Sequence, residues 1–474
     1  MSLHLLVALA PIVVALALLA LRVPALWAGT AGLGAGLIGA LTVFTPTAAT
    51  VRDTAAQMGP TVLVVALIIL GGLGLAGAMG RSGGQDAIAT WLARIETGTD
   101  RTASLLLLVF GLTPFMESVT GFGIGVVITA PLLIRHGLTP VKAVTAGLLG
   151  LVSVPWGSLA PGTLVASELA GQDFQALGTW SAVLSLPVLV VSMALVLGFA
   201  AEGVRARHLG LAAGIVLVQW GGLLGASVVV GPPLTGVLAA ALTIAALLVY
   251  LRLTRGPLPP VDATLVRALT PYLVLTAGIL LTTGVLALLD HPSRWGWISN
   301  PALWLLVAAL LAPVILQIRP EDRGGLAGQV LRGWATAGGT AVAFLLLGIV
   351  MAATGMAEYL ATTAAAMGPG FIAAIPAVGA LGGYLTGSNT GAAAMFSTAT
   401  TTAASGLGAS PMIALASQNV TGSYAIIASP PRVALATAVA LPPGGSLPGR
   451  ATAVLLAAIA IVVLILAVVT VALA

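Results

Sequence analysis

Apolar runs of roughly twenty residues, the length a helix needs to cross a bilayer, recur along this chain. They lie near 3–21, 23–44, 60–80, 179–201, 207–228, 233–253, 268–290, 300–318, 336–357 and 450–473. Two further regions, 141–170 and 411–440, are long enough to span but are interrupted, at "VPWGS" (Val154–Ser158) and "NVTGS" (Asn419–Ser423). Two more hold paired short runs, 103–114 with 122–135 and 371–385 with 391–404. A twelve-residue helix is only about 18 Å long against a hydrocarbon core of about 30 Å. Each pair therefore predicts a re-entrant hairpin, over 103–135 and 371–404, with tips at "ESVTG" and "GSNTG". The pattern as a whole predicts an all-α membrane protein with about 12 transmembrane helices.

The order of these elements repeats. "SVTG" at 118–121 and "SNTG" at 388–391 are 270 residues apart, and "TPVKAV" at 139–144 and "SPMIAL" at 410–415 are 271 apart. "LGGLGLAGAMG" at 70–80 resembles "LGIVMAATGMA" at 347–357. Residues 1–201 and 268–474 thus read as two repeats, each with a hairpin and a broken span, joined by two linking spans in 207–253. An odd number of crossings separates the two starts, so the second copy is expected to be inverted. Inverted repeats with broken helices that meet at mid-membrane are a transporter architecture.

Charge supports the layout. With both hairpins returning to the side they entered, fifteen Lys and Arg fall on one face, Arg52 and Arg294 on the other, and Arg432 within a span. That asymmetry predicts a multi-pass protein of the cell (inner) membrane with both termini outside. Only 7% of the 474 residues are charged, far below a soluble domain. The net charge of +5 comes from basic residues scattered in ones and twos, which fits loop charge and not nucleic-acid binding. Residues 1–21 lack a basic leader and precede Arg22, as expected of a first span and not of a cleaved signal. There is no cysteine, so disulfides and thiolate chemistry are excluded. No HExxH, GxSxG or P-loop pattern is present. No enzyme activity, cofactor or metal is expected.

The candidate chemistry lies at the breaks. Non-helical backbone at membrane depth persists only where protein buries it or where it lines a wet cavity. Four such breaks are expected, at 117–121, 154–158, 387–391 and 419–423. Helices that start after them present free N–H groups and a positive dipole end, suited to an anion. Ser118, Thr120, Ser153, Ser388, Thr390, Thr421, Ser423 and Ser429 add hydroxyls, Asn389 and Asn419 add amides, and Trp156 adds an indole. Gly121, Gly123, Gly157, Gly391 and Gly422 let backbone approach a ligand. Such a set suits a small hydroxy-carboxylate, although Ser, Thr and Gly also serve plain helix packing in membranes. Glu117 stands apart, because an intramembrane carboxylate is protonated, paired or wet. It is either a proton carrier or a tip cap that accepts backbone N–H groups. Arg432 either ligates the substrate anion or snorkels to the interface. Glu168 and Glu358 sit near span ends, and His136 and His208 fall in loops with no assigned role.

At these residues the chain resembles the L-lactate permease family, which includes glycolate permeases. The family's "EGAAGFG.PVAI.A.LL" followed by "P..A" is matched here by "ESVTGFGIGVVITAPLL" and "TPVKAV". Its "TGSDTSSNALF" is matched by "TGSNTGAAAMF" at 386–396, and its "N-T/S-x-G" with "SPQSIAIA" by "NVTGS" and "SPPRVALA". These stretches cover about a quarter of the chain, in the same order. The resemblance implies uptake of lactate, glycolate or similar 2-hydroxy monocarboxylates with protons. It points to Glu117, Gly121, Phe122, Gly123, Ser388, Asn389, Thr390, Asn419, Gly422 and Ser429. Asn389 stands where the family has aspartate, Arg432 replaces a small residue, and "SVPWGSLAPG" departs from "NTAPVAFGAMG". The tip also resembles the sodium-coupled dicarboxylate transporters of the ion-transporter superfamily, which implies a homodimeric elevator.

The expected function is a proton-coupled secondary carrier. Substrate would sit between the hairpin tips and broken spans, Glu117 would carry the proton, and the hairpins would slide against a scaffold that includes 207–253. A sodium-coupled carrier and an anion channel are the alternatives.

Overall fold

A computed structural model describes residues 3–95, 101–201, 204–289 and 295–474. Among them every regular element is helical, and ten helices are long and apolar enough to cross a membrane. Several runs extend beyond the expected bounds. The run at 60–80 is the end of a 34-residue helix, Ala48–Arg81, and the run at 336–357 falls mostly in another of 34, Pro320–Ala353, with its last residues beyond that helix. Both start in polar sequence, where Thr47 accepts the Thr50 amide and Pro320 opens the first turn. The run at 300–318 gives a helix of only 15 residues, Pro301–Ile315. The run at 179–201 begins earlier, with Asp173 capping Phe174–Leu184, and Pro187 restarts it as Leu186–Phe199. Arg294 lies outside the described residues.

The first hairpin departs from its expectation. Its inner arm is one 20-residue helix, Arg101–Thr120, which passes through Glu117 and Ser118. Pro114 has no N–H to offer, so the preceding turn widens to a π segment, Leu107–Leu112. Thr113 Oγ1 ties that turn together by donating to Leu108 O at 2.9 Å. The tip therefore falls at Gly121–Gly123 and not at 117–121, with φ of 69°, 57° and 84°. The outer arm is Ile124–Arg135. In the second hairpin the arms Gly370–Thr386 and Asn389–Gly406 flank a short tip at Gly387–Ser388, so Gly391 is already helical.

The first broken span interrupts as expected: Pro140–Leu149 and Pro161–Ala170 flank a tight turn at Val154–Leu159. Ser158, Leu159 and Ala160 all take left-handed φ, 50°, 64° and 68°. Each such residue costs on the order of 1–2 kcal/mol in local strain.

The second broken span corrects the sequence reading. Asn419–Ser423 is continuous helix within Pro411–Ala425, and the break lies at Ile426–Ser429. Thr421 Oγ1 donates back to Ser417 O at 2.9 Å, which a helix accommodates. Gly422 serves packing, since a Cβ on the facing Gly383 would lie 1.8 Å from Gly422 O. Pro430 and Pro431 make the real break by forcing Ser429 into an extended conformation, φ −63° and ψ 139°.

Two layers meet at the hairpins and breaks. The long helices Ala25–Thr42, Ala48–Arg81 and Pro320–Ala353 pack together on one side. The linking helices Ala206–Val229 and Pro232–Arg255 pack on each other and on the first hairpin and first break. The reason is close backbone contact: a Cβ on Gly236 would meet Ser118 Oγ at 2.4 Å and Trp156 Cβ at 3.0 Å. At the surface, Asp262 caps Ala263–Ala287 and pairs with Arg94 at 3.3 Å. The Leu265 amide, then Arg94, hold its carboxyl below the usual range.

Candidate functional site

A cavity of about 500 Å³ opens where the two layers meet. Three helices begin at it, contributing Pro161 and Gly162, Asn389 and Thr390, and Pro431 and Arg432. Each beginning presents the positive end of its dipole. Because Pro161, Pro430 and Pro431 have no N–H, the free amides among these residues are those of Gly162, Asn389, Thr390 and Arg432. The first tip adds Gly121 and Phe122, and the first break adds Gly157 and Ser158. The long helices close the far wall with Ile69, Thr336 and Thr340.

A fourth helix beginning, that of Ile124–Arg135, is occupied from within the chain. Glu117 is 1% exposed, and its carboxylate accepts the Gly123 amide at 3.0 and 3.1 Å and the Gly125 amide at 3.4 Å. Its Oε1 also lies 3.6 Å from Arg432 Nη1. The capping role and the charged role are thus the same geometry. Because the break lies at 426–429, Arg432 sits in the first turn of Pro430–Ala440, at the cavity, and not about 13 Å below the site as a regular helix would place it. Its side chain is 11% exposed, so it does not snorkel.

The "GFGIG" stretch reads as three separate close approaches. A Cβ on Gly121 would strike Ser158 Cβ at 2.6 Å, one on Gly123 would strike Arg432 Nη1 at 2.7 Å, and one on Gly125 would strike Thr113 O at 2.5 Å. Gly123 thus opens the slot through which the guanidinium reaches Glu117.

A polar network lies behind the second tip. Asn389 Nδ2 donates to Asn419 Oδ1 at 2.8 Å, and Asn419 Nδ2 donates to Thr163 Oγ1 at 3.1 Å and Ser181 Oγ at 2.9 Å. Asn419 therefore positions Asn389 and does not itself line the cavity. Asn389→Asp is expected to fold, because Asn419 can turn its amide over and donate to the new carboxylate while Ser181 donates to its carbonyl. The added charge repels an anionic substrate, so apparent affinity should fall about tenfold. Unchanged affinity would place Asn389 outside the site.

Of the expected site residues, Glu117, Gly121, Phe122, Gly157, Ser388, Asn389, Thr390 and Arg432 line the cavity. Ser118 and Trp156 face Gly236 instead, and Thr120 Oγ1 donates to Met116 O at 2.6 Å. Ser153, Thr421, Gly422, Ser423 and Ser429 are buried in helix packing beside it, and Gly391 donates its amide to Ser388 Oγ. Ser158, Gly162, Thr386, Thr336 and Thr340 line the cavity without having been singled out. The four-residue spacing of Thr336 and Thr340, one helical face, was their only sequence signal.

A family model described as L-lactate permease matches residues 4–292 and 289–474. The L-lactate permease of Escherichia coli (strain K12) is 26% identical over 406 residues, covering 72% of this chain and 72% of that protein. That of Streptococcus iniae is 25% identical over 365 residues, covering 70% and 75%. A solved structure, Neisseria gonorrhoeae MtrF, from work on a class of antimetabolite efflux pumps, aligns over 92% of this chain and 84% of its own at 15% identity, with a TM-score of 0.49.

Proposed function

The chain belongs to the L-lactate permease family, and from that premise we propose that it is a secondary active transporter carrying lactate, glycolate and similar small 2-hydroxy monocarboxylates together with protons. The observation behind this reading is the Glu117–Arg432 pair at the edge of the cavity. One guanidinium faces two candidate anions, the Glu117 carboxylate and a substrate carboxylate. A proton on Glu117 removes the internal competitor and leaves Arg432 free to hold the substrate, so proton and substrate load together. Loss of the proton restores the internal pair and expels the anion. This is a thermodynamic coupling between two sites, reciprocal by necessity. The three helix beginnings at the cavity add neutral N–H donors that favour the bound carboxylate.

The proposal includes the wider architecture: about 12 crossings in two inverted repeats, both termini outside, and a homodimer moving its hairpins as an elevator. The linking helices would then travel with the hairpins, given the contact at Gly236. The test is uptake of labelled lactate into proteoliposomes under an imposed proton gradient, an imposed sodium gradient, or neither. Accumulation above the external concentration with the proton gradient alone is expected. Accumulation driven only by sodium would replace the coupling ion. Downhill flux without accumulation would make the protein a channel.

A further inference from the structure

We propose that Ser158 is the residue that recognises the substrate's 2-hydroxyl group, an inference that rests on reading the cavity as a 2-hydroxy-acid site. Among the described residues, ten buried side-chain polar atoms have no hydrogen-bond partner. Two belong to residues of the cavity lining, Arg432 Nη1 and Ser158 Oγ. Buried polar groups are almost always paired, so each such exception calls for an account. Arg432 has its account in the carboxylates that compete for it. Ser158 has none within the protein.

Several other polar groups at the cavity are already engaged. Ser388 Oγ accepts the Gly391 amide as a helix cap, Thr386 Oγ1 donates to Gly382 O at 2.7 Å, and Asn389 is held by Asn419. Ser158 is instead held in place by its surroundings. It is 3% exposed, and it sits at φ 50° and ψ 39°, the first of three left-handed residues. L residues avoid that conformation, and such strain gathers at functional sites. Gly121 and Gly72 clear the space around it, since a Cβ on either would lie 3.2 Å from Ser158 Oγ. Rotation about χ1 moves the hydroxyl among three staggered wells without moving the strained backbone.

The two residues share one tip and one cavity. Ser158 packs on Gly121 and Arg432 packs on Gly123, two residues along one tip. Two residues of extended chain span at most about 7 Å. Both side chains line the same cavity, where one short 2-hydroxy acid would set its carboxylate to Arg432 and its hydroxyl to Ser158.

The experiment compares lactate with propionate, which has the same chain and charge but no hydroxyl, as competitors of labelled-lactate uptake. The wild-type protein should prefer lactate. Ser158→Ala should cut that preference about tenfold, the effect of one hydrogen bond, and leave propionate competition within about twofold. Ser158→Gly is the companion variant, because glycine adopts the left-handed conformation freely and keeps the turn folded. A wild-type protein that does not discriminate, or a preference unchanged in both variants, overturns the assignment of Ser158. Absence of lactate transport in the wild type would overturn the reading of the cavity itself, and this assignment with it.

Discussion

Arg432→Met is expected to reduce lactate uptake at least a hundredfold and to destabilise the protein, while Glu117→Gln with Arg432→Met recovers the stability and not the transport. Methionine fills similar space without charge. It leaves Glu117 buried with only the Gly123 and Gly125 amides as partners. Breaking a buried pair by removing one partner costs about 3–5 kcal/mol, and the low end applies here because those two amides remain. Removing both charges eliminates the orphan, so thermal unfolding in detergent should return close to the wild-type value. Transport stays lost in the double variant because no guanidinium is left for the substrate. A double variant that transports would make the pair purely structural. Arg432→Lys keeps the charge but not the planar fork, and should weaken apparent affinity about tenfold.

Glu117→Gln is expected to abolish proton-driven accumulation while sparing exchange of lactate across the membrane. The amide carbonyl still accepts the Gly123 N–H, so the tip keeps its cap. The side chain is then neutral at every pH, as a protonated glutamate is, and Arg432 has no internal competitor for the substrate. Wild-type affinity should therefore weaken as pH rises and the pair forms, and the variant's affinity should stay flat. Counterflow of labelled against unlabelled lactate separates the two activities. Full accumulation by the variant under a proton gradient would move the coupling group elsewhere.

The amino-acid sequence by itself determined the membrane class and the placement of most helices, because a twenty-residue apolar run has one stable solution in a bilayer. It also marked the turns near Gly121–Gly123 and Gly387–Ser388 and the interruption at Val154–Leu159, although the first arm, Arg101–Thr120, is a helix long enough to cross and not the short run expected. It misplaced two breaks for a local reason. Polar residues such as Asn419, Thr421 and Ser423 were read as ending a helix, yet a threonine hydroxyl can bond the preceding turn within one. Pro430 and Pro431, which remove the N–H and constrain the residue before them, were the stronger signal. Only the tertiary structure decided the site. Glu117 and Arg432 come from different halves of the chain, and what pairs them is the slot that Gly123 leaves open. The same holds for the glycines: one residue type makes room for a serine, a guanidinium or a facing helix, according to what the fold brings against it.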